Sequence, residues 1–182
     1  MSERTFDGLA KISQLPQRGM VTLRGDLASA KIKKAIKSIA SVDVPVQGAC
    51  TYSADRAVAW MSPDELLLMG PHSAVAEDVE AMSKALKGTH HLLQDVSDAR
   101  AIYRIEGAAC REVLAKLCPV DLSPKAYAPG KFRRTRIAQV PCAFWMPGDN
   151  SFELVAFTSV ADYVWGVLCA AADPAAAVNH FA

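Results

Sequence analysis

A strand-glycine-helix pattern that occurs twice most constrains how this chain can fold. In the second copy, within residues 95–118, apolar residues alternate with others over Ala101–Glu106, and a glycine follows at Gly107. Apolar residues then recur at helical spacing, at Cys110, Val113, Leu114 and Leu117. Because glycine accepts a tight turn, the pattern predicts a strand, a turn and a helix that packs back on the sheet.

The same pattern occurs earlier in the chain. Met20–Asp26 predicts a strand that ends at Gly25, with Asp26 as the N-cap of a helix. The apolar face of that helix is expected at Ala28, Ile32, Ala35 or Ile36, and Ile39. Gly25 and Gly107 therefore look like equivalent positions in an internal duplication.

Each copy continues through a strand with a Trp-Met pair, a turn that contains proline, a second strand and a second helix. These elements are predicted at Ala57–Met61, 62–64, Glu65–Met69 and Val75–Leu86 in the first copy, and at Arg136–Met146, 147–150, Phe152–Phe157 and Val160–Ala172 in the second. We therefore predict an α+β fold of two β-α-β-β-α units, each a ferredoxin-like half.

The predicted domain organisation follows from these copies. Residues 1–17 are expected to form an N-terminal arm, and residues 18–172 a single α+β domain of two pseudo-repeats, 18–88 and 89–172. Residues 173–182 are expected to form a C-terminal tail.

Composition limits the classes of function. A net charge of +1 gives no general attraction to nucleic acid or to an anionic membrane. Residues 1–8 show no signal-peptide pattern, and no apolar run reaches the roughly 18 to 20 residues of a membrane span, so we expect a cytoplasmic protein. Five cysteines without a C-x-x-C motif indicate buried thiols better than disulfides or zinc ligands.

Candidate catalytic and metal-binding residues are few. His90 and His91 are adjacent on a predicted strand and point to opposite faces, so they cannot readily bind one metal ion. Asp95, Ser97 and Asp98 could carry acid-base chemistry, but Asp and Ser at strand ends usually bond to nearby backbone amides. We therefore predict no catalytic, cofactor-binding or metal-binding residue in this chain.

The strongest local charge bias lies between Leu122 and Gly148, where there is no acidic residue. This basic segment combines cations with two aromatic residues: Lys125, Lys131, Arg133, Arg134 and Arg136, with Tyr127 and Phe132. It is either a solvated loop and edge strand protected against aggregation, or a surface that binds carboxylates, phosphates or a protein partner. Pro141, in the strand that follows, predicts an edge strand or a bulge there.

The last predicted helix, Val160–Ala172, is apolar on almost every side, with Asp162 as its only charge. Such a helix either lies centrally in the fold or is partly covered by another subunit. The residues of the helix leave both alternatives open, as those of the basic segment do.

Longer segments resemble known families. Residues 92–122 are similar to a segment of the aminomethyltransferases, the glycine-cleavage T-protein and its folate-binding relatives, in which an Asp-x-Ser turn precedes a strand, a glycine and an alanine-containing helix. Here those positions are Asp95, Ser97, Gly107 and Ala109. The fuller pattern, from MVTLRGD through AWMSPDELLLMGP and GKFRRTRIAQVPCAFW to FELVAFTSVADYVWGVL, resembles the gamma-subunit family of heterotetrameric sarcosine oxidase.

This resemblance implies a fold like the N-terminal part of the aminomethyltransferases and a place in a multisubunit complex. The family's complex oxidises sarcosine to glycine, forms hydrogen peroxide and passes the one-carbon unit to tetrahydrofolate. The resemblance implies alpha, beta and delta subunits as partners, chiefly alpha. With such partners, the basic segment and the last helix are expected to form a subunit interface, at Lys131, Arg133, Arg134, Arg136, Trp145, Tyr163 and Trp165. The resemblance assigns FAD, FMN, NAD, tetrahydrofolate and zinc to those subunits and leaves the gamma chain as a non-catalytic structural subunit.

Three alternatives to this role stay open. The chain could be the small subunit of a related N-methyl amino acid dehydrogenase, such as N-methylglutamate dehydrogenase. It could be a stand-alone folate-binding domain that handles one-carbon units. It could also be a nucleic-acid-binding module that uses Lys31–Lys37 and Lys125–Arg136, with affinity that depends steeply on salt.

Overall fold

The structure, a computed structural model, describes residues 4–181. The strands are β1 (Arg4–Asp7), β2 (Lys11–Gln14), β3 (Gly19–Gly25), β4 (Cys50–Tyr52), β5 (Ala57–Ser62), β6 (Glu65–Gly70), β7 (His91–Asp95), β8 (Arg100–Glu106), β9 (Phe132–Ile137), β10 (Val140–Gly148) and β11 (Ser151–Phe157). The α-helices are α1 (Ala30–Ala40), α2 (Val75–Ala85), α3 (Cys110–Ala115) and α4 (Ala161–Ala172).

The chain divides into two units. The continuous unit is Arg18–Ser97, and the discontinuous unit joins the residues up to Gln17 to those from Asp98 onward. Each unit has its own antiparallel sheet, with strand order β4-β5-β6-β3-β7 in the continuous unit and β1-β2-β8-β11-β10-β9 in the discontinuous unit.

The continuous unit has a ferredoxin-like core. Strands β5-β6-β3-β7 with helices α1 and α2 reproduce the β-α-β-β-α-β order, and β4 adds a fifth strand at the edge. Apolar residues of the sheet and both helices share one core, which includes Leu23, Leu66, Ile32, Ile36, Met82 and Leu86. Burial of these side chains is the main stabilising contribution to the unit.

The turn between β3 and α1 depends on Gly25. A Cβ atom at this position would lie 2.9 Å from Cδ1 of Ile32, so glycine allows α1 to approach the strand. The helix begins at Ala30 with Ser29 at the N-cap position, and no side chain caps it. The prediction of Asp26 as N-cap is therefore wrong, because its carboxylate instead accepts the Ala28 N–H (2.9 Å) in the turn before the helix.

The discontinuous unit repeats this arrangement around β8 and α3. Gly107 closes the strand with φ +122°, in the region that favours glycine, and its N–H donates to the Asn150 carbonyl (2.9 Å). Strands β8, β11 and β10 follow the same order as β3, β6 and β5. The predicted internal duplication into ferredoxin-like halves is thus confirmed.

The N-terminal residues differ from the predicted arm. Arg4–Asp7 and Lys11–Gln14 form a hairpin, and Lys11–Gln14 pairs with β8 in the position that β7 occupies beside β3. Ile12 is fully buried in the core of the discontinuous unit. Two strands of four residues carry too short an alternating pattern to be recognised by sequence periodicity, which explains the correction.

Two further predictions need correction in the second copy. The single strand predicted over Arg136–Met146 is two strands, β9 and β10, joined by a tight turn at Ala138 with φ +47°. Pro141 lies in β10, which is between β9 and β11, so the edge-strand alternative is wrong. The β10–β11 pairing does shift register, but between Trp145 and Gly148 and not at Pro141. The β10–β11 ladder begins at Cys142, so the missing proline N–H costs no hydrogen bond there.

Candidate functional site

Four of the five cations of the basic segment lie in or directly before β9, at one edge of the discontinuous unit's sheet, whereas Lys125 lies in the preceding loop. β9 is the outermost strand, and Lys131, Arg133, Arg134 and Arg136 are all exposed. We call these four residues the basic edge. Phe132 and Ile137 are buried at the two ends of the strand and fix its position.

The loop that leads to the basic edge is held by Arg111, a residue that sequence analysis did not single out. Its guanidinium is buried, and Nη1 donates to the carbonyls of Leu122 (2.7 Å) and Tyr127 (2.8 Å). Tyr127 is itself buried, and its hydroxyl donates to the Phe144 carbonyl (3.1 Å). The sequence carries no signal for this role, because the two carbonyls are 11 and 16 residues away along the chain and only the fold brings them to Arg111.

Trp145 does not belong to any exposed surface, which corrects its place in the predicted interface. Its side chain is fully buried, and the ring stacks on Phe132 with centroids 6.4 Å apart. The indole N–H has no hydrogen-bond partner among the described residues. Because Trp145 has no solvent exposure in the chain itself, it has none to lose when a partner binds.

Helix α4 presents a second surface. Val164 and Leu168 are fully buried, whereas Tyr163 is 42% exposed. Trp165 is half-buried, with the Arg4 guanidinium 5.4 Å from its ring centroid, and Arg4 also bonds to Asp162 (2.7 Å). The helix is therefore buried on one side only.

The predicted interface residues fall on two separate parts of the discontinuous unit. Helix α4 packs on β2 and β11, and β2 lies next to the edge strand β1. The basic edge is on β9, at the opposite end of the six-stranded sheet. We call the exposed Tyr163 with the half-buried Trp165 the α4 surface, and treat it separately from the basic edge.

The Asp-x-Ser turn has a structural role. The Asp95 carboxylate accepts the N–H (2.9 Å) and the hydroxyl (2.6 Å) of Ser97, and the Ser97 hydroxyl oxygen accepts the Met20 N–H (2.9 Å). These bonds close the chain after β7 and tie it to β3. They agree with the interpretation that Asp95 and Ser97 satisfy backbone amides.

The remaining candidate ligands are dispersed. His91 bonds through Nδ1 to the Thr89 carbonyl (2.8 Å), and residues 4–181 contain no group of three His, Cys, Asp or Glu side chains that could hold a metal ion. All five cysteines are free thiols. Burial raises the pKa of the Cys110 thiol, and contact with Cys118 together with burial raises that of Cys142, so both are poor nucleophiles.

A small cavity lies in the continuous unit, beside the ion pair of Arg56 and Asp78. Its volume of about 10 Å³ is enough for about one water molecule. This cavity is far too small for a pterin ring.

Among the helices of residues 4–181, none combines the length and apolar character needed to cross a membrane.

The family of the chain follows from its sequence. The family model described as "Sarcosine oxidase, gamma subunit family" matches residues 24–174, which is most of the chain and extends over both units. The chain belongs to this family. The family resemblance drawn from the sequence is thereby confirmed.

Curated members of the gamma-subunit family are similar over part of their length. The sarcosine oxidase subunit gamma of Arthrobacter sp is 35% identical over 97 residues, or 53% of this chain and 46% of that protein. The subunit gamma of Corynebacterium sp. (strain U-96) is 30% identical over 107 residues, or 59% of this chain and 51% of that protein. The alignment with this chain thus spans about half the length of these relatives.

Solved structures agree with the fold. A chain of heterotetrameric sarcosine oxidase from Corynebacterium sp. U-96, in complex with pyrrole 2-carboxylate, matches with a TM-score of 0.84 and 24% identity, over 96% of this chain and 90% of that chain. The glycine cleavage system aminomethyltransferase T of Bartonella henselae matches with a TM-score of 0.63 and 13% identity, over 85% of this chain and 44% of that chain. Both matches confirm the predicted α+β fold, including its likeness to part of an aminomethyltransferase.

Proposed function

We propose that this chain is the gamma subunit of a heterotetrameric sarcosine oxidase and takes part in that oxidoreductase complex as a structural subunit. The observation that carries the proposal is the match of the gamma-subunit family model to residues 24–174. The likeness in fold to a chain of a heterotetrameric sarcosine oxidase supports it. The substrate of the complex is then sarcosine, which it oxidatively demethylates to glycine.

In this proposal, the alpha and beta subunits hold FAD, FMN, NAD and the tetrahydrofolate site, the delta subunit binds zinc, and catalysis takes place outside the gamma chain. The chemistry of the described side chains supports a structural role for the gamma chain. Asp95 and Ser97 are used in a turn, and the buried Cys110 and Cys142 thiols have raised pKa values. The Asp95 and Ser97 side chains thus stabilise a turn, and the two thiols are packed in the core.

The contacts with the other subunits are proposed at the basic edge and the α4 surface. The basic edge presents four cations without a nearby acidic residue in the sequence from Leu122 to Gly148, so it suits a partner surface rich in carboxylates. Tyr163 and Trp165 offer aromatic contact area of the kind enriched in protein interfaces.

The proposal is tested by co-expressing the chain with the other three subunits and weighing the purified species by native mass spectrometry. We expect a stoichiometric, flavin-coloured complex that forms hydrogen peroxide with sarcosine, and a colourless gamma chain when it is expressed alone. Activity with N-methylglutamate in place of sarcosine would indicate the related dehydrogenase. A gamma chain that stays separate from the other subunits would contradict the proposal.

A pair of matched variants tests the basic edge within the same assembly. Reversing two charges with Arg133→Glu and Arg136→Glu should weaken assembly by on the order of tenfold to a hundredfold, because like charges then face each other. Lys33→Glu with Lys34→Glu, at exposed positions of α1, makes the same change in net charge and should leave assembly unchanged. Equal co-purification of both double variants at raised salt would exclude the basic edge from the interface.

A further inference from the structure

The backbone of β9 has one side paired with β10 and one side open at the end of the sheet. No other strand formed by residues 4–181 pairs with its outer side. An open strand edge of this kind is a template for another extended chain. The register of the β9–β10 ladder determines which backbone groups of β9 face outward.

The Met146 N–H donates to the Lys131 carbonyl (3.3 Å), one residue before Phe132 pairs with Trp145. In an antiparallel ladder, hydrogen-bonded and non-hydrogen-bonded pairs alternate. Arg133 and Thr135 are therefore bonded to β10, whereas Phe132 and Arg136 direct their N–H and C=O groups away from it. Pro141 stands opposite Arg136 and agrees with this assignment, since it has no N–H and a bonded pair would require one.

The strand is held in place before any partner arrives. Phe132 is buried against Trp145, Ile137 is buried at the other end, and Arg111 fixes the loop that precedes the strand. A preorganised edge loses little conformational entropy when a partner strand pairs with it. The basic edge is thus suited to backbone recognition as well as to charge recognition.

Side chains restrict what can pair with this edge. A second copy of β9 would place the same four cations against each other, which like-charge repulsion disfavours. Nucleic acid offers phosphate acceptors to the arginines but no regular row of donors for the outward carbonyls of β9. An extended peptide segment supplies both donors and acceptors, and acidic side chains on it would face the arginines.

We propose that β9 pairs through its backbone with an extended, carboxylate-rich segment of a partner subunit, and so adds that segment to the six-stranded sheet. The inference rests on the proposed function, because the partner is another subunit of the sarcosine oxidase complex. The acidic side chains of the segment lie opposite Arg133 on one face of the sheet and opposite Arg136 on the other.

Amide hydrogen exchange with single-residue resolution, on the isolated chain and on the assembled complex, tests the pairing. Because only alternate amides gain a partner, those of Phe132 and Arg136 should exchange about a hundredfold more slowly in the complex. The amides of Arg133 and Thr135 should be protected in both states. If the complex forms and Phe132 and Arg136 exchange as in the isolated chain, the strand pairing is overturned while the proposed function stands. If no complex forms, the proposed function fails and the pairing with it.

Two variants at one position separate the backbone from the side chain. Arg136→Ala removes the charge and keeps the N–H, whereas Arg136→Pro removes both. Neither change should break the β9–β10 ladder, because the Arg136 N–H points away from β10, and matching thermal unfolding of the two variants would verify this. The proline variant should assemble about tenfold more weakly than the alanine variant, as expected for one lost backbone hydrogen bond. Equal assembly of the two would overturn the proposal.

Discussion

Tyr103 links the sheet of the discontinuous unit to its last helix. The hydroxyl, which is fully buried, donates to the Ala161 carbonyl (2.8 Å) at the start of α4. Burial, which is the main cause, raises the pKa of Tyr103 to about 12. Since the ordinary tyrosine pKa is about 10, the folded state prefers the neutral phenol.

The free energy of unfolding should therefore depend on pH in a defined window. The contribution of Tyr103 is fully present below about pH 10 and is lost as pH rises toward 12. Tyr103→Phe should destabilise the chain by about 1 to 3 kcal/mol at pH 8, because the Ala161 carbonyl loses its donor. The difference from the unchanged chain should shrink by about 1 kcal/mol at pH 11. Urea unfolding at both pH values measures it, and a difference independent of pH would contradict the assignment.

Single residues also mark the limit of what periodicity predicts. Helical spacing predicted correctly that Cys110, Val113 and Leu114 of α3 face the core, whereas Leu117, the fourth predicted residue, lies beyond the helix and is only partly buried. The sequence-based prediction placed Trp145 at an interface and overlooked Arg111, since the burial of both depends on neighbours brought together by β9 and the preceding loop. Spacing in one segment carries no information on such long-range contacts.

At the scale of elements, α3 and its C-cap residue Lys116 hold the C-terminal residues against the fold. Glu112 accepts the N–H groups of Val178 (2.8 Å) and His180 (3.3 Å), and Lys116 donates to the carbonyls of Ala171 (3.0 Å) and Ala176 (2.6 Å). The Val178 N–H above all, with help from Lys116, lowers the pKa of Glu112. Described residues of the predicted tail are thus tied to a helix.

Removing the Glu112 charge should loosen this segment. In Glu112→Gln one oxygen remains to accept a hydrogen bond, so the amides of Val178 and His180 should exchange faster while the rest of the discontinuous unit keeps its protection. Glu80→Gln on α2 breaks an exposed ion pair with Lys84 and is the matched control, with no expected effect on these amides.

Acidification of the unchanged chain should act in the same direction. The pKa of Glu112 is lower in the folded state than in the unfolded state. The stability that its carboxylate contributes is therefore present above the ordinary glutamate pKa of about 4.3, and it is lost as pH falls through the pKa of the folded state. Exchange at Val178 that does not respond to either the substitution or the acid would show that Glu112 does not hold the segment.

Elements were predicted well where a segment is long and periodic, and poorly where it is short. The core strands β3, β5, β6, β8 and β11 and the helices lie close to their predicted positions. Strands β1 and β2 were read as an arm because four residues give barely one alternation on each face. Strand β9 was merged with β10 because Ala138, in a conformation unusual for a non-glycine residue, gives no turn signal.

At the scale of the whole molecule, strand order departs from chain order. β2 immediately precedes β3 in the sequence, but it pairs with β8, and β7 immediately precedes β8 but pairs with β3. The duplicated pattern predicts two similar sheets, but it does not determine whether β2 and β7 each pair with β3 or with β8. That choice depends on side-chain packing between residues far apart in sequence, such as Ile12 with its cross-strand partner Ile105.

The strand order predicts where two equivalent core substitutions will act. Ile12 and Leu23 are both fully buried, Ile12 in the discontinuous unit and Leu23 in the continuous unit, although they lie close in sequence. Ile12→Ala and Leu23→Ala should each cost about 2 to 5 kcal/mol, because each leaves a cavity in a packed core. Native-state hydrogen exchange should show the loss of protection in β8 for Ile12→Ala and in β6 for Leu23→Ala.

The opposite result would contradict this assignment. If Ile12→Ala instead exposed the amides of β6, the Ile12 side chain would support the sheet of the continuous unit, and the pairing of β2 with β8 would be wrong. Since each variant serves as the control for the other, a general loss of stability alone could not produce the expected contrast.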